Sequence, residues 1–220
     1  MTGPVARVAI VEDEALMRTM LERTLAQEGL RVVHSVPGAQ EARLVVAAGT
    51  CDVAILDVNL PDGNGVALGL QLQRADPRLA IMLLSSEDVM GLFTSVQGEA
   101  SRPWSYLSKR SSFASDVLVR AVLAAASGEV VVDPYLVQRS TPRAGSAVAD
   151  LTPAQLSVLR LVAEGLSNQA VAAQLAIAER SVESHLQSIY QRLGVTGDGH
   201  NRRVAAVLAF LEQTGRTWRR

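Results

Sequence analysis

Residues 51–65 have the sequence Cys51-Asp52-Val53-Ala54-Ile55-Leu56-Asp57-Val58-Asn59-Leu60-Pro61-Asp62-Gly63-Asn64-Gly65, and this stretch decides the fold of the first half of the chain. The four apolar residues 53–56 predict a strand that is buried on both faces, as in parallel sheets. Pro61, Gly63 and Gly65 predict a loop directly after it. Asp57 ends the strand, where open α/β sheets carry their ligand sites. An aspartate there is also a common helix cap or turn residue, so the position alone leaves both interpretations open.

The strand-then-helix pattern repeats through residues 5–127. The predicted strands are residues 5–11, 30–36, 53–57, 79–84 and 104–107, and apolar residues at helical spacing follow each of them. Five alternations in about 125 residues are typical of one doubly wound α/β domain with a five-stranded parallel sheet. Polar side chains stand at the predicted strand ends, where they can converge: Glu12, Asp13, Asp57, Ser85 and Lys109.

The remainder of the chain has a different character. Residues 128–150 are broken by glycine, proline and polar residues, which predicts a linker between a first domain at residues 1–127 and a second at 151–220. The second domain has the pattern of a small all-α domain of four helices. Thr152 caps the first of these, and Pro153 occupies its first position. The short turn between the second and third helices is typical of a helix-turn-helix.

Composition indicates an ordinary globular chain. Hydrophobic residues make up 48% and charged residues 20% of the 220 residues. No run of about 18 apolar residues exists, so we expect no membrane span. The first residues lack a basic segment before an apolar one, which argues against secretion. The single cysteine, Cys51, cannot form an internal disulfide and fits a reducing, cytoplasmic location.

Charge is unevenly distributed along the chain. Residues 1–127 have a net charge of −3, residues 128–150 of −1 and residues 151–220 of +3. A basic second domain favours a nucleic acid partner for that half, although the excess is small. Of the 21 basic residues, 20 are arginine and one, Lys109, is lysine. Either this is chance, or the position requires a compact ammonium group on a flexible stem.

Three carboxylates at predicted strand ends, those of Glu12, Asp13 and Asp57, would repel one another without a cation. With a backbone carbonyl and waters they suit Mg²⁺, which prefers hard oxygen ligands. Asp57 would then attack a phosphoryl group, since carboxylates form acyl-phosphate intermediates. Lys109 and the hydroxyl of Ser85 would bind the phosphoryl oxygens. The alternative is a loosely solvated acidic rim.

Two sets of motifs resemble known families. Residues 5–127 resemble a receiver domain of two-component signalling, with its flavodoxin-like fold. The matching residues are Val11-Glu12-Asp13-Glu14, Leu56-Asp57, Pro61-Asp62-Gly63, Leu84-Ser85 and Tyr106-Leu107-Ser108-Lys109. Residues 151–211 resemble the LuxR-type helix-turn-helix through Leu151-Thr152-Pro153, Val158-Leu159, Val162-Ala163-Glu164-Gly165-Leu166-Ser167-Asn168, Val182-Glu183-Ser184-His185 and Leu193-Gly194-Val195. Their order is that of the NarL/FixJ-type two-component response regulators.

The resemblance implies how the acidic residues act. Asp57 would accept a phosphoryl group from a partner histidine kinase. Mg²⁺ would be held by Glu12, Asp13, Asp57 and the carbonyl of Asn59. The chain would then be a phosphorylated transcription regulator rather than an enzyme.

The resemblance also implies how the signal is read. Ser85 and Lys109 would grip the phosphoryl group, and Tyr106 would be the aromatic residue that moves inward with Ser85. Asn59 and Glu87 occupy positions that influence how fast water removes the phosphate. Without the motif, Tyr106 could equally be an ordinary core residue.

The third predicted helix has a polar outer face, from which we expect DNA contacts by Arg180, Ser181, Glu183, Ser184, Gln187 and Arg192. Glu183 suits cytosine N4 and Gln187 suits adenine. Arg180 and Arg192 are better placed to contact phosphates, and such contacts position the protein on the duplex without specifying its sequence. A solvated helix face is the alternative for each residue. The resemblance implies that the last helix pairs with a second copy, giving a homodimer on double-stranded DNA.

Some residues depart from the family pattern. A run of small residues usually precedes the switch aromatic, whereas Ser101-Arg102-Pro103-Trp104-Ser105 stands there. We expect proline and tryptophan to stiffen and fill the surface that normally rearranges. Ala178 begins the recognition helix where a serine cap is usual, and the segment 196–201 is longer than usual.

Two other functions are compatible with these residues. The altered segment before Tyr106 suggests a regulator of the same architecture that is controlled by dimerisation or a small ligand. A phosphohydrolase with Asp57 as nucleophile is the other. That enzyme would carry a second carboxylate two residues later, where this chain has Asn59.

Overall fold

The computed structural model describes residues 6–87 and 90–216 and contains two compact units. The first unit ends at Val131 and the second begins at Val132. Within the described ranges, no helix combines the length and the apolar character needed to cross a bilayer.

A five-stranded, all-parallel sheet forms the core of the first unit, which confirms the predicted fold class. Its strands are β1 (Arg7–Val11), β2 (Arg31–Val36), β3 (Val53–Asp57), β4 (Ala80–Ser85) and β5 (Ser105–Ser108). They lie in the order β2-β1-β3-β4-β5. Every residue of the central strand β3 is buried, because its apolar side chains meet helices on both faces of the sheet. The predicted start of the first strand, at residue 5, lies outside the described residues.

In the described part of the chain, the helices beside this sheet are α1 (Ala15–Gln27), α2 (Ala39–Val45), α3 (Gly65–Ala75), α4 (Met90–Val96), α5 (Lys109–Ser112) and α6 (Ser115–Ala126). Leu21 and Leu25 of α1 and Leu118 of α6 lie in one buried cluster with the apolar side chains of the strands. The sequence did not predict α5, a single turn. Its signal is local, since the Ser108 hydroxyl caps it by accepting from the backbone N–H of Ser111.

The loop after β3 is shaped by backbone contacts that its residue types explain. A Cβ at Gly65 would lie 1.9 Å from the carbonyl oxygen of Asp57, so only glycine fits there. Asn64 caps α3 with its side-chain oxygen. Asp62 accepts a hydrogen bond of 2.7 Å from the backbone N–H of Ala39, at the start of α2. The loop that follows Asp57 is therefore joined to two helices.

The segment before β5 fills the core, which corrects the expectation that it fills the surface. Trp104 is fully buried against α3, where a Cβ at Gly69 would lie 2.6 Å from its ring. The Trp104 indole N–H donates to Oε1 of the buried Gln73 at 2.9 Å, and this oxygen also accepts from the Ser101 N–H. Nε2 of Gln73 donates to the carbonyl of Arg102. One buried amide thus organises the whole segment.

The second unit contains the four predicted helices, α8 (Pro153–Ala163), α9 (Asn168–Leu175), α10 (Glu179–Arg192) and α11 (Gly199–Gln213). Thr152 and Gln155 form a capping box at the start of α8. Gly165 and Gly194, which follow α8 and α10, have φ angles of 80° and 66°, where glycine is favoured. Buried residues of α10 face α8 and α9, in the arrangement of a helix-turn-helix.

Residues 128–150 hold more ordered structure than the breaks in their sequence suggest. Val130 and Val131 are buried, and the N–H of Val131 donates to the Ser105 hydroxyl. A short helix, α7 (Pro134–Arg139), follows, and Ser140–Pro142 pairs with Thr214–Arg216 as an antiparallel strand pair. The assignment of this segment as a linker between two functional domains stays a prediction.

Gln73→Met tests whether the buried amide holds the segment before β5. We expect the free energy of unfolding to fall by about 2–4 kcal/mol, because the buried Trp104 N–H and its neighbours lose their partners. Urea unfolding of the whole chain measures this. Gln71→Met on the exposed face of the same helix is the control, expected to change stability by less than about 0.5 kcal/mol. Equal effects of the two substitutions would contradict the assignment.

Candidate functional site: a carboxylate and lysine cluster, with a separate polar helix face

Three charged side chains meet at the carboxyl edge of the sheet. Glu12 follows β1, Asp57 ends β3 and Lys109 follows β5. Lys109 Nζ lies 2.6 Å from Glu12 Oε1 and 2.8 Å from Asp57 Oδ2. Glu12 is 1% exposed and Asp57 is 3% exposed. Residues from the ends of three strands therefore form one buried, charge-paired cluster.

The same edge has the ligands for a hard cation. One carboxylate oxygen each from Glu12, Asp13 and Asp57 lies within 4.8 Å of the other two. Glu12 Oε2 is buried, and no donor among the described residues bonds to it. A buried carboxylate oxygen without a partner is unfavourable, and a divalent ion would satisfy it. The backbone N–H of Asn59 donates to Asp57 Oδ1 at 3.1 Å, which places Asn59 next to these ligands.

Burial and the hydrogen bonds between Lys109 and the carboxylates act in opposite directions on the pKa values of Glu12 and Lys109. Burial raises the pKa of Glu12, and the nearby Asp57 carboxylate adds to this, while the hydrogen bond from Lys109 opposes it. Burial alone would lower the pKa of Lys109, but its hydrogen bonds to Asp57 and Glu12 outweigh that effect and raise it. Lys109 therefore stays protonated at neutral pH and remains the countercharge of the cluster.

The two expected switch residues meet on the backbone of Glu87. Ser85, fully buried at the end of β4, accepts a hydrogen bond of 3.1 Å from the Glu87 N–H. Tyr106 is 1% exposed, and its hydroxyl donates to the Glu87 carbonyl at 3.0 Å. Its ring lies 5.8 Å from that of Phe93 in α4. Sequence reasoning considered only the side-chain position of Glu87 and missed this backbone role.

Helix α10 presents the expected polar face. Its buried residues are Val182, Leu186, Ile189 and Tyr190. The residues expected to contact DNA are all exposed: Arg180, Ser181, Glu183, Ser184, Gln187 and Arg192. Arg192 already donates to the carbonyl of Asp150 at 3.0 Å, which holds its guanidinium near the start of α8. Ala178 occupies the N-cap position, so α10 begins without a side-chain cap.

Sequence reasoning missed Arg202 on α11. Its guanidinium lies 5.2 Å from the centre of the Tyr190 ring, and its Nη1 is 3.3 Å from Gln187 Oε1. The contact joins residues that are 15 positions apart on different helices, so no local pattern reveals it. The available signal was only a basic residue near the start of the last helix.

Comparison with known families matches both halves of the chain. Residues 8–122 match the family described as the response regulator receiver domain. Residues 149–209 match the bacterial regulatory proteins of the luxR family. Together these matches include the carboxylate cluster in the first unit and the polar helix face in the second.

Individual relatives match along nearly the whole chain. The nitrate/nitrite response regulator protein NarP of Escherichia coli is 31% identical over 216 residues, or 95% of this chain and 96% of that protein. A nitrate/nitrite response regulator protein homolog of Haemophilus influenzae is 29% identical over 212 residues, or 94% and 97%. A solved structure of two RcsB dimers bound to two parallel DNAs has a TM-score of 0.53 at 22% identity, covering 95% of this chain and 98% of that one. That likeness shows a shared fold.

Lys109→Met tests whether the ammonium group stabilises the cluster. In buffer without divalent cations we expect the free energy of unfolding to fall by about 3 kcal/mol, because two buried carboxylates lose their countercharge. Adding Glu12→Gln to this variant should restore much of the loss, since it removes one of the repelling charges. Urea unfolding measures both. A double variant that is less stable than Lys109→Met would contradict this charge balance.

Proposed function

The chain belongs to the two-component response regulators that join a receiver domain to a LuxR-type DNA-binding domain, and from this premise we propose that phosphorylation of Asp57 controls its binding to DNA. The observation that carries the proposal is the bond of Lys109 to the buried carboxylates of Asp57 and Glu12. These contacts support a site in which the positive charge of Lys109 offsets the negative charge around the reactive carboxylate of Asp57.

Asp57 has the chemistry of a phosphoryl acceptor. One of its carboxylate oxygens attacks phosphorus, the bond from phosphorus to the phosphohistidine nitrogen of a partner kinase breaks, and an acyl phosphate forms. Lys109, already 2.8 Å from this carboxylate, is placed to donate to a phosphoryl oxygen. Ser85 accepts from the Glu87 N–H, and its own hydroxyl proton can be donated to a second phosphoryl oxygen.

A magnesium ion is part of the proposal. Glu12, Asp13 and Asp57 would hold it with the carbonyl of Asn59, and the buried Glu12 Oε2 supports this because it has no donor among the described residues. When bound, Mg²⁺ supplies positive charge that offsets the charge of the phosphoryl oxygens. Asn59 stands where a phosphohydrolase would carry its second carboxylate, which favours a regulator over an enzyme.

The second unit is the proposed DNA reader. The exposed face of α10 would enter the major groove, with Glu183 and Gln187 at base edges and Arg180 near phosphates. A phosphorylated homodimer on a two-fold site would place two such helices on the same face of the duplex. A protein that binds DNA must share its compartment, so a cytoplasmic location belongs to the same proposal.

Phosphorylation is tested by incubating the protein with Mg²⁺ and a small phosphodonor and measuring its intact mass. We expect the unsubstituted protein to gain the mass of one phosphoryl group. Asp57→Asn should not gain it, because the attacking carboxylate oxygen is gone. Asp52→Asn is the matched control and should be labelled normally, since Asp52 pairs with Arg7 before β3, away from the cluster. No adduct on the unsubstituted protein would favour a regulator that works without phosphorylation.

DNA reading is tested on a duplex that the phosphorylated protein selects from a random library. Arg180→Ala should weaken binding to all duplexes alike and lower the slope of log affinity against log salt by about one, as for a lost phosphate contact. Glu183→Ala should instead relax the preference at one base pair of each half-site, by roughly 1–3 kcal/mol. If both substitutions weakened all sequences equally, α10 would not be reading bases.

A further inference from the structure

Arg202 is held against the recognition helix by contacts on several sides. Its guanidinium lies 5.2 Å from the centre of the Tyr190 ring, a distance at which cation and ring attract. Its Nη1 is 3.3 Å from Gln187 Oε1. Its Nε is buried, and within the described part of the chain nothing accepts a hydrogen bond from it. The side chain is therefore partly withdrawn from solvent and directed at Gln187.

The contact determines how the Gln187 amide is oriented. A guanidinium has only N–H donors, so the atom that faces it must be the amide oxygen and not the amide nitrogen. With Oε1 turned toward Arg202, the Nε2 group points away from it. Gln187 is exposed on the outer face of α10, one turn after Glu183, so the free end of its amide is the end available to a partner.

We propose that Arg202 is a positioning residue for base recognition: it fixes the Gln187 amide so that Nε2 is presented to the DNA, and Gln187 then selects guanine over adenine. This inference rests on the proposed function of α10. Guanine offers two acceptors in the major groove, N7 and O6, to the two protons of Nε2. The bidentate pair with adenine needs Oε1 itself to accept from the adenine amino group, so Arg202 and adenine would crowd one acceptor oxygen, whereas the guanine pair leaves the bond to Arg202 undisturbed. The proposal replaces the adenine contact that the sequence suggested for Gln187.

The test uses the full-length phosphorylated protein and the duplex that it selects from a random library. Affinities are measured for all four base pairs at each position of a half-site. Gln187→Ala identifies the position that this residue reads. We expect guanine there in the unsubstituted protein, preferred over adenine on the order of tenfold, the size of one good base contact.

Arg202→Lys is the diagnostic variant, because it keeps the positive charge and loses the planar group that lies over Tyr190. We expect the preference for guanine to fall toward parity with adenine at that one position. Affinity for unrelated duplexes and the salt slope should stay unchanged. In the Gln187→Ala background, Arg202→Lys should alter no base preference. Thermal unfolding of each variant shows whether it remains folded.

Three results would overturn the inference. The first is an Arg202→Lys variant that is folded and keeps the base preference of the unsubstituted protein. The second is an equal loss of affinity for all duplexes together with a smaller salt slope, as for Arg180→Ala, which would make Arg202 a phosphate contact. The third is an unsubstituted protein that binds no duplex. That result alone would also remove the proposed DNA-binding function.

Discussion

The ammonium group of Lys109 is the contact on which the receiver site depends, because it bonds the two buried carboxylates of Glu12 and Asp57 at once. A compact ammonium carries three donors, which suits two acceptors in different directions. The planar fork of arginine favours one carboxylate held at two points. This difference gives a physical reason for a lysine here in a chain whose 20 other basic residues are arginine. These two contacts join the ends of β1, β3 and β5, so they hold both the carboxyl edge of the sheet and the site in place.

The sheet and the four helices of the second domain could be predicted because their signals are local. Apolar runs and helical spacing mark them, and parallel strands bring their carboxyl ends to one edge. Short elements were missed, although α7 had a readable start in Asp133 and Pro134. Contacts between distant residues could not be predicted. The bonds of Gln73 to the segment before β5, and of Arg202 to Gln187, depend on how the elements pack.

The unusual segment before Tyr106 acts through packing. Trp104, the residue before β5, packs against α3, and Tyr106 within β5 packs against Phe93 of α4. Gln97, the residue directly after α4, accepts from the backbone N–H of Trp104 at 2.9 Å and donates to the Trp104 carbonyl at 3.2 Å. Movement of α4 would have to break this pair or carry the start of β5 with it. These bonds use the backbone of residue 104 and link the end of α4 to the start of β5, while the indole ring itself packs against α3.

Phosphorylation of Asp57 would act on this arrangement by changing which oxygen atoms are the strong hydrogen-bond acceptors. In an acyl phosphate, one carboxylate oxygen becomes the bridging oxygen of a mixed anhydride and the other a neutral carbonyl, both weaker acceptors, while the charged phosphoryl oxygens become the strong ones. Lys109 would then donate to a phosphoryl oxygen, and the hydroxyl of Ser85 would turn toward another. Ser85 already accepts from the Glu87 N–H, and Tyr106 donates to the Glu87 carbonyl. Two hydrogen bonds therefore lead from the phosphoryl site to Tyr106, one on each side of Glu87, and the backbone of that loop residue joins them.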